Sequence, residues 1–248
     1  MNDDTCTLHR GTALPPALVA RMHEAARAVP DTDWHVSRLY AFARELGASV
    51  IVPKYSRYVI DVNRGEDDTS LYPGQNTTGL VPLVRFTGDA IYRPGQEPDA
   101  DEVATRIDAY WRPYHAALQS ELERLRAAHG HVVLWEGHSI RGSELPFLFE
   151  GRLPDLNLGT ASGASCSPAL QARLEAVLSA QPDYDWVANG RFKGGHITRH
   201  YGDPARGIDA VQLEISQRNY MDEESFAYDE AKAAKLQVLL RELIKAAM

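Results

Sequence analysis

The chain has 248 residues, 44% of them hydrophobic and 24% charged, which suits one soluble domain with a well-buried core. A net charge of −8 leaves no basic surface to neutralise a run of phosphates, so no nucleic-acid partner is expected. No run of about 18 apolar residues offers a membrane span, and no membrane partner is expected either. Met1-Asn2-Asp3-Asp4 is acidic where a secretory signal is basic and then apolar, which predicts a cytoplasmic protein. With only Cys6 and Cys166 and no CxxC spacing, any metal must be held by histidine and carboxylate.

In chain order, Pro15-Pro16 opens a helical pattern to about Ala28. Asp31-Thr32-Asp33 then supplies N-cap candidates for a helix through Leu46, with Val36, Leu39, Tyr40, Phe42 and Ala43 on its apolar face. Short β-branched apolar runs at Ala48 to Val52 and Tyr58 to Val62 predict strands. A polar, glycine-bearing loop follows from Gly65 to Gly79. After Pro98, Val103, Ile107, Tyr110, Trp111, Tyr114, Leu118, Leu122 and Leu125 recur at helical spacing until Gly130. His131 to Trp135 then reads as a buried strand, followed by a loop through Gly163 and a helix from Pro168 to Ala180. Strands are predicted at Trp186 to Ala188, His196 to His200 and Ala210 to Glu214. A last helix covers Tyr228 to Ala247, with Leu236, Leu239, Leu240, Leu243 and Ile244 facing inward. Strands alternating with helices predict an α/β fold, its sheet covered on both faces, and nothing divides residues 1 to 248 into more than one domain.

Three places carry candidate chemistry. The stretch Ser56-Arg57-Tyr58-Val59-Ile60-Asp61-Val62-Asn63-Arg64 delivers two guanidiniums and an amide together, which suits either a site for a small acid or arginines that cap surface carboxylates. His138 stands just beyond an apolar strand, where α/β sheets bind ligands. It reads as a zinc ligand whose tautomer Glu136 fixes, or as a histidine hydrogen-bonded in a loop. Glu214, closing Val211-Gln212-Leu213, is a paired structural group or a general base with a pKa raised by burial. His196 and His200 could chelate a metal only on a helix, and Ile197, Thr198 and Tyr201 favour a strand there. Ser139 and Ser165 lack a nucleophile-elbow sequence.

Several local sequences together resemble the N-formylglutamate amidohydrolase family. They are Ser56 to Arg64, Leu71-Tyr72-Pro73-Gly74-Gln75-Asn76, Tyr110-Trp111-Arg112-Pro113-Tyr114-His115, Leu134 to Ser139, Phe149 to Thr160, Asn189-Gly190-Arg191-Phe192-Lys193-Gly194-Gly195 and Gln212-Leu213-Glu214. The resemblance implies kinship with zinc carboxypeptidases and aspartoacylases: one three-layer domain, a mixed sheet flanked by helices, and a single Zn2+ at the strand ends. It implies a zinc-dependent amidohydrolase of histidine degradation that cleaves the small molecule N-formyl-L-glutamate. His138 and Asp33 would bind the metal, although Asp31 is an alternative to Asp33. Arg57 would polarise the scissile carbonyl, Glu214 would act as general acid and base, and Asn63 with Arg64 would hold the α-carboxylate. Lys193 or Arg199 would pair with the side-chain carboxylate or serve as surface charge.

One departure stands out. Relatives carry an apolar strand ending in Ser-x-Pro-His-x-Gly-Thr before Ala-Leu-Pro-Pro. Here Gly11 to Pro16 matches, but Asp3 to Arg10 is too short and polar to predict a central buried strand, so a shortened amino-terminal segment is expected. His9 falls in the ligand register and either completes the zinc site or is an ordinary residue of that segment. Two other functions stay open at this point: a related N-acyl-amino-acid deacylase, or a silent relative that binds a dicarboxylate.

Overall fold

A computed structural model describes the backbone of Thr5–Leu8 and the whole of residues 11–248. It is built on a mixed six-stranded sheet. The strands are β1 (Thr5–Leu8), β2 (Ser49–Ile51), β3 (Val132–Ile140), β4 (Leu156–Gly159), β5 (Trp186–Ala188) and β6 (Ile208–Ser216), in the order β2-β1-β3-β6-β4-β5. β2, β1, β3 and β6 run parallel to one another, while β4 pairs antiparallel with β6 and parallel with β5.

Helices cover both faces. Residues alternate across β3 and β6, so Val133, Trp135, Val211, Leu213 and Ile215 face one way. They pack under α3 (Val36–Leu39), a 3₁₀ segment (Ala41–Leu46), α6 (Pro168–Ser179) and α8 (Glu230–Ala247). Val132, Leu134, Ile208 and Ala210 face the other way, against Leu118, Leu122 and Leu125 of α5 (Arg112–His129) and Ile197 of α7 (His196–Tyr201). The long helical pattern after Pro98 is present as α4 (Ala100–Arg106), a π-turn (Ile107–Trp111) and α5. The five inward residues expected of the last helix are all buried, and Asp229 caps that helix by accepting from Lys232 N.

Five expectations need correction. β1 exists and lies inside the sheet, laddered on both sides from Thr5↔Ser49 to Leu8↔Gly137. Two good strand neighbours and a Thr-rich sequence suffice without a long apolar run. The silent-relative reading, which rested on a missing strand, loses its basis. Tyr58 to Val62 is buried but forms turns: Val59 N donates to Ser56 O, Asp61 N to Leu80 O and Arg64 N to Asp61 O. Residues 196–201 are a helix, because its leading amides find acceptors far away in sequence: Asn63 O takes His196 N, Asn63 Oδ1 takes Ile197 N, and Glu136 Oε2 takes Thr198 N. The two amino-terminal helical patterns break into short pieces, the single turns α1 (Pro16–Val19), α2 (Glu24–Arg27) and α3 and the six-residue 3₁₀ segment. β4 falls in a stretch expected to be loop.

Candidate active site

β3 and β6 place the first two groups. His138 and Glu214 are register partners on adjacent parallel strands, so their side chains share a face near the carboxyl ends. His138 is part of β3 rather than beyond it, and both residues are buried. Burial raises the Glu214 pKa to about 7, offset in part by the positive charges of His138 and Arg57. Gln212, two residues earlier on the same face, donates from Nε2 to Glu214 Oε2 at 3.2 Å.

Asp33 reaches the same place from the segment before α3. Its Oδ1 lies 3.5 Å from His138 Nδ1 and accepts from Ser139 N at 2.6 Å, while its Oδ2 accepts from Arg57 Nη2 at 2.7 Å. Asp31 is engaged elsewhere: Tyr58 OH and Phe86 N both donate to its Oδ2, which brings Phe86 under the Arg57 guanidinium, 4.9 Å from the ring centre. Of the two aspartates, Asp33 is therefore the one beside the imidazole. Glu136 Oε1 lies 3.8 Å from His138 Nε2, and its Oε2 is held by Thr198 N and Oγ1. Burial would lower the His138 pKa, but Asp33 and Glu136 outweigh it and hold it well above the usual imidazole value.

Arg57 pairs twice, with Asp33 and with Asp61 at 3.5 Å. Burial opposes its charge, yet Asp61 and Asp33 more than compensate, and its pKa lies above the ordinary arginine value. The irregular backbone that carries Arg57 is pinned by Arg106, a buried cation on α4 whose Nη1 donates to Val59 O at 3.0 Å and to Tyr58 O at 3.4 Å. Asn63 bridges two elements: its Oδ1 accepts from Ile197 N and its Nδ2 lies 3.1 Å from His138 Nε2. Gly195 permits this close approach, since a Cβ there would fall 2.3 Å from Asn63 Nδ2.

Arg57, Asn63, Arg64, His138 and Glu214 line one cavity that is open to solvent. Residues not singled out from the sequence complete it, among them Tyr72, Thr78, Phe86, Arg191 and Gln212. Gln212 could have been found by alternation with Glu214, whereas Arg191 gave no signal beyond its place in the Asn189 to Gly195 stretch. The structure does not bring Lys193 or Arg199 to this cavity. Both are exposed, and Arg199 stacks on Tyr72 while donating from Nε to Gly194 O. His9 lies outside the described residues. Among those described, no three His, Cys, Asp or Glu side chains form a group able to hold a metal. Asp33 and His138 are two potential ligands of suitable chemistry. Their 3.5 Å separation approaches the roughly 3.3 Å that bonds of about 2.0 Å impose at a tetrahedral zinc.

This α/β architecture recurs in solved structures. That of an N-formylglutamate amidohydrolase from Ralstonia eutropha superposes with a TM-score of 0.82 at 27% identity, covering 99% of this chain and 92% of the other. A gene product of Agrobacterium tumefaciens shares the fold alone, with a TM-score of 0.73 at 18% identity, covering 99% of this chain and 88% of that one. The family model for N-formylglutamate amidohydrolase matches residues 6–221, and the chain belongs to that family. Among curated relatives, the N-formylglutamate deformylase of Pseudomonas putida is 52% identical over 239 residues, covering 96% of this chain and 89% of the relative. Its namesake in Pseudomonas aeruginosa is 54% identical over 238 residues, with the same coverages.

Proposed function

We propose that this chain hydrolyses N-formyl-L-glutamate to formate and L-glutamate, a step of histidine breakdown, using one zinc ion held by Asp33, His138 and His9. The observation that carries this reading is the cluster of His138, Glu214 and Arg57 on the floor of one cavity, with Asp33 paired to both His138 and Arg57, in a chain about half identical to two deformylases. β1 ends opposite Gly137, the neighbour of His138, and leads in sequence into His9.

When bound, zinc supplies a nucleophile at neutral pH by acidifying water from a pKa of about 15.7 towards about 7. Glu214, with its own pKa raised by burial to about 7, takes the proton of the attacking water and delivers it to the leaving nitrogen. Arg57, fixed by Asp33 and Asp61, is oriented in advance towards the carbonyl oxygen as it gains negative charge. Arg64 holds the α-carboxylate with the amide of Asn63 beside it. Of the two His138 ring nitrogens, Nδ1 faces Asp33 and is the atom placed to share a metal with it.

The test is release of formate and glutamate from N-formyl-L-glutamate by the purified chain, compared with N-acetyl-L-glutamate, with zinc and with a chelator. Turnover of the formyl substrate that stops with chelator and returns with zinc is expected. Faster turnover of the acetyl compound would move the chain to a related deacylase activity, and turnover indifferent to chelator would remove the metal from the account.

A further inference from the structure

Arg191 and Arg64 differ from Arg57, the third guanidinium at the cavity, in their partners. Arg64 donates from Nε to Thr78 O at 2.9 Å, and Arg191 donates from Nε to Leu148 O and from Nη2 to Asn76 O, both at 3.2 Å. Neither forms an ion pair with any carboxylate among the described residues, although both line the cavity and both are half-buried. Burial pushes the Arg191 pKa down, and the nearby charge of Arg64 pushes the same way. Two uncompensated cations in a partly desolvated wall cost free energy that a bound dianion would recover. Arg191 is also held in place. Its guanidinium lies 5.2 Å from the Tyr72 ring centre, Arg199 lies 5.3 Å from the same ring, and Tyr72 OH donates to Gly194 O at 3.1 Å. The cation is thus oriented before any ligand arrives, by a loop residue tied to the turn that carries it.

We infer that Arg191 is the receptor for the side-chain carboxylate of the substrate, the second of two anionic groups, with Arg64 taking the first. The inference rests on the hydrolytic reading for the identity of the ligand, while the cation pair itself calls for a small dicarboxylate. It replaces the exposed Lys193 and Arg199 in that role and assigns to Tyr72 the task of orienting the guanidinium.

Two measurements test it. First, kcat/KM is determined for N-formyl-L-glutamate and for uncharged N-formyl-L-glutamine. Arg191→Gln should lower the value for the acid by about 100-fold or more while changing that for the amide by less than about fivefold, and Arg191→Lys should recover part of the loss. Equal losses on both substrates would mark Arg191 as structural, and an unchanged value for the acid would remove it from recognition; either overturns the inference. Second, calorimetry compares glutarate with butyrate, with no turnover required. Arg191→Gln should weaken glutarate binding at least tenfold and leave butyrate unaffected, and a parallel change would overturn the inference. If the wild-type chain binds glutarate through Arg191 yet hydrolyses no formylglutamate, the hydrolytic reading has failed and the dicarboxylate site stands. If it hydrolyses formylglutamate and Arg191→Gln is indifferent, the reverse holds.

Discussion

On the floor of the cavity Arg57 is neutralised twice, by Asp33 at 2.7 Å and Asp61 at 3.5 Å, whereas at the rim Arg64 and Arg191 donate to carbonyl oxygens and pair with no carboxylate among the described residues. Buried charge on the floor is matched within the protein, which fixes geometry before substrate arrives and leaves little net attraction for an anion. Charge at the rim is unmatched by any carboxylate among the described residues and is available to bind one. Floor residues should therefore govern turnover and rim residues affinity, and each variant below can break that division.

Among substitutions the largest effect is expected from Glu214→Gln, which removes the only proposed acid and base. Its kcat should fall by about 10²–10⁴-fold with little change in KM, read from steady-state formate release. The same variant has a stability consequence of fixed sign. The Glu214 pKa is raised in the fold, so its contribution to stability is present at low pH and lost as pH rises through about 7. Zinc-free Glu214→Gln should therefore unfold at a higher temperature than zinc-free wild type at pH 8, with the gap narrowing towards pH 5, as scanning calorimetry would show. A lower unfolding temperature at pH 8 would mean that the carboxylate is not strained by its burial.

Metal removal should be at least as damaging. Dialysis against chelator should abolish turnover and titration with zinc should restore it at one ion per chain, measured by elemental analysis beside activity. Arg57→Gln should lower kcat by about 100-fold, the loss of one oxyanion donor. A smaller effect is expected from Gly195→Ala, whose Cβ would displace the Asn63 amide from its place against His138 and α7. Roughly tenfold lower kcat/KM, with Tm reduced as well, is the expected outcome, since Asn63 also caps the helix. The least effect, several-fold at most, should follow Thr198→Val, which removes one of the two donors to Glu136 Oε2 and leaves the backbone amide in place.

Which parts could be read from the sequence follows from where each element finds its partners. β3, β6, α5, α6 and α8 announce themselves because apolar runs or 3.6-residue periodicity encode burial locally, and His138 and Glu214 were legible as polar groups at the ends of such runs. The helix at 196–201 could not be read that way, because its amides are satisfied by Asn63 and Glu136, which lie 62 to 134 residues away in sequence. Tyr58 to Val62 has strand composition, yet Arg106 and Leu80 take the backbone groups that a neighbouring strand would have taken. Asp31 and Asp33 are equivalent in sequence, and only Tyr58 and Phe86 on one side and His138 and Arg57 on the other separate them. Arg191 differs from Lys193 in direction rather than chemistry. The turn around it contains Asn189 at φ 52° and Gly194 at φ 113°, and that local conformation decides which cation meets the cavity.

The division between floor and rim is tested most directly by kcat and KM for N-formyl-L-glutamate in Arg57→Gln and Arg64→Gln, assayed side by side with zinc-loaded wild type. Arg57→Gln should lose kcat at a nearly constant KM and Arg64→Gln should raise KM at a nearly constant kcat. A raised KM in Arg57→Gln together with a lost kcat in Arg64→Gln would contradict it.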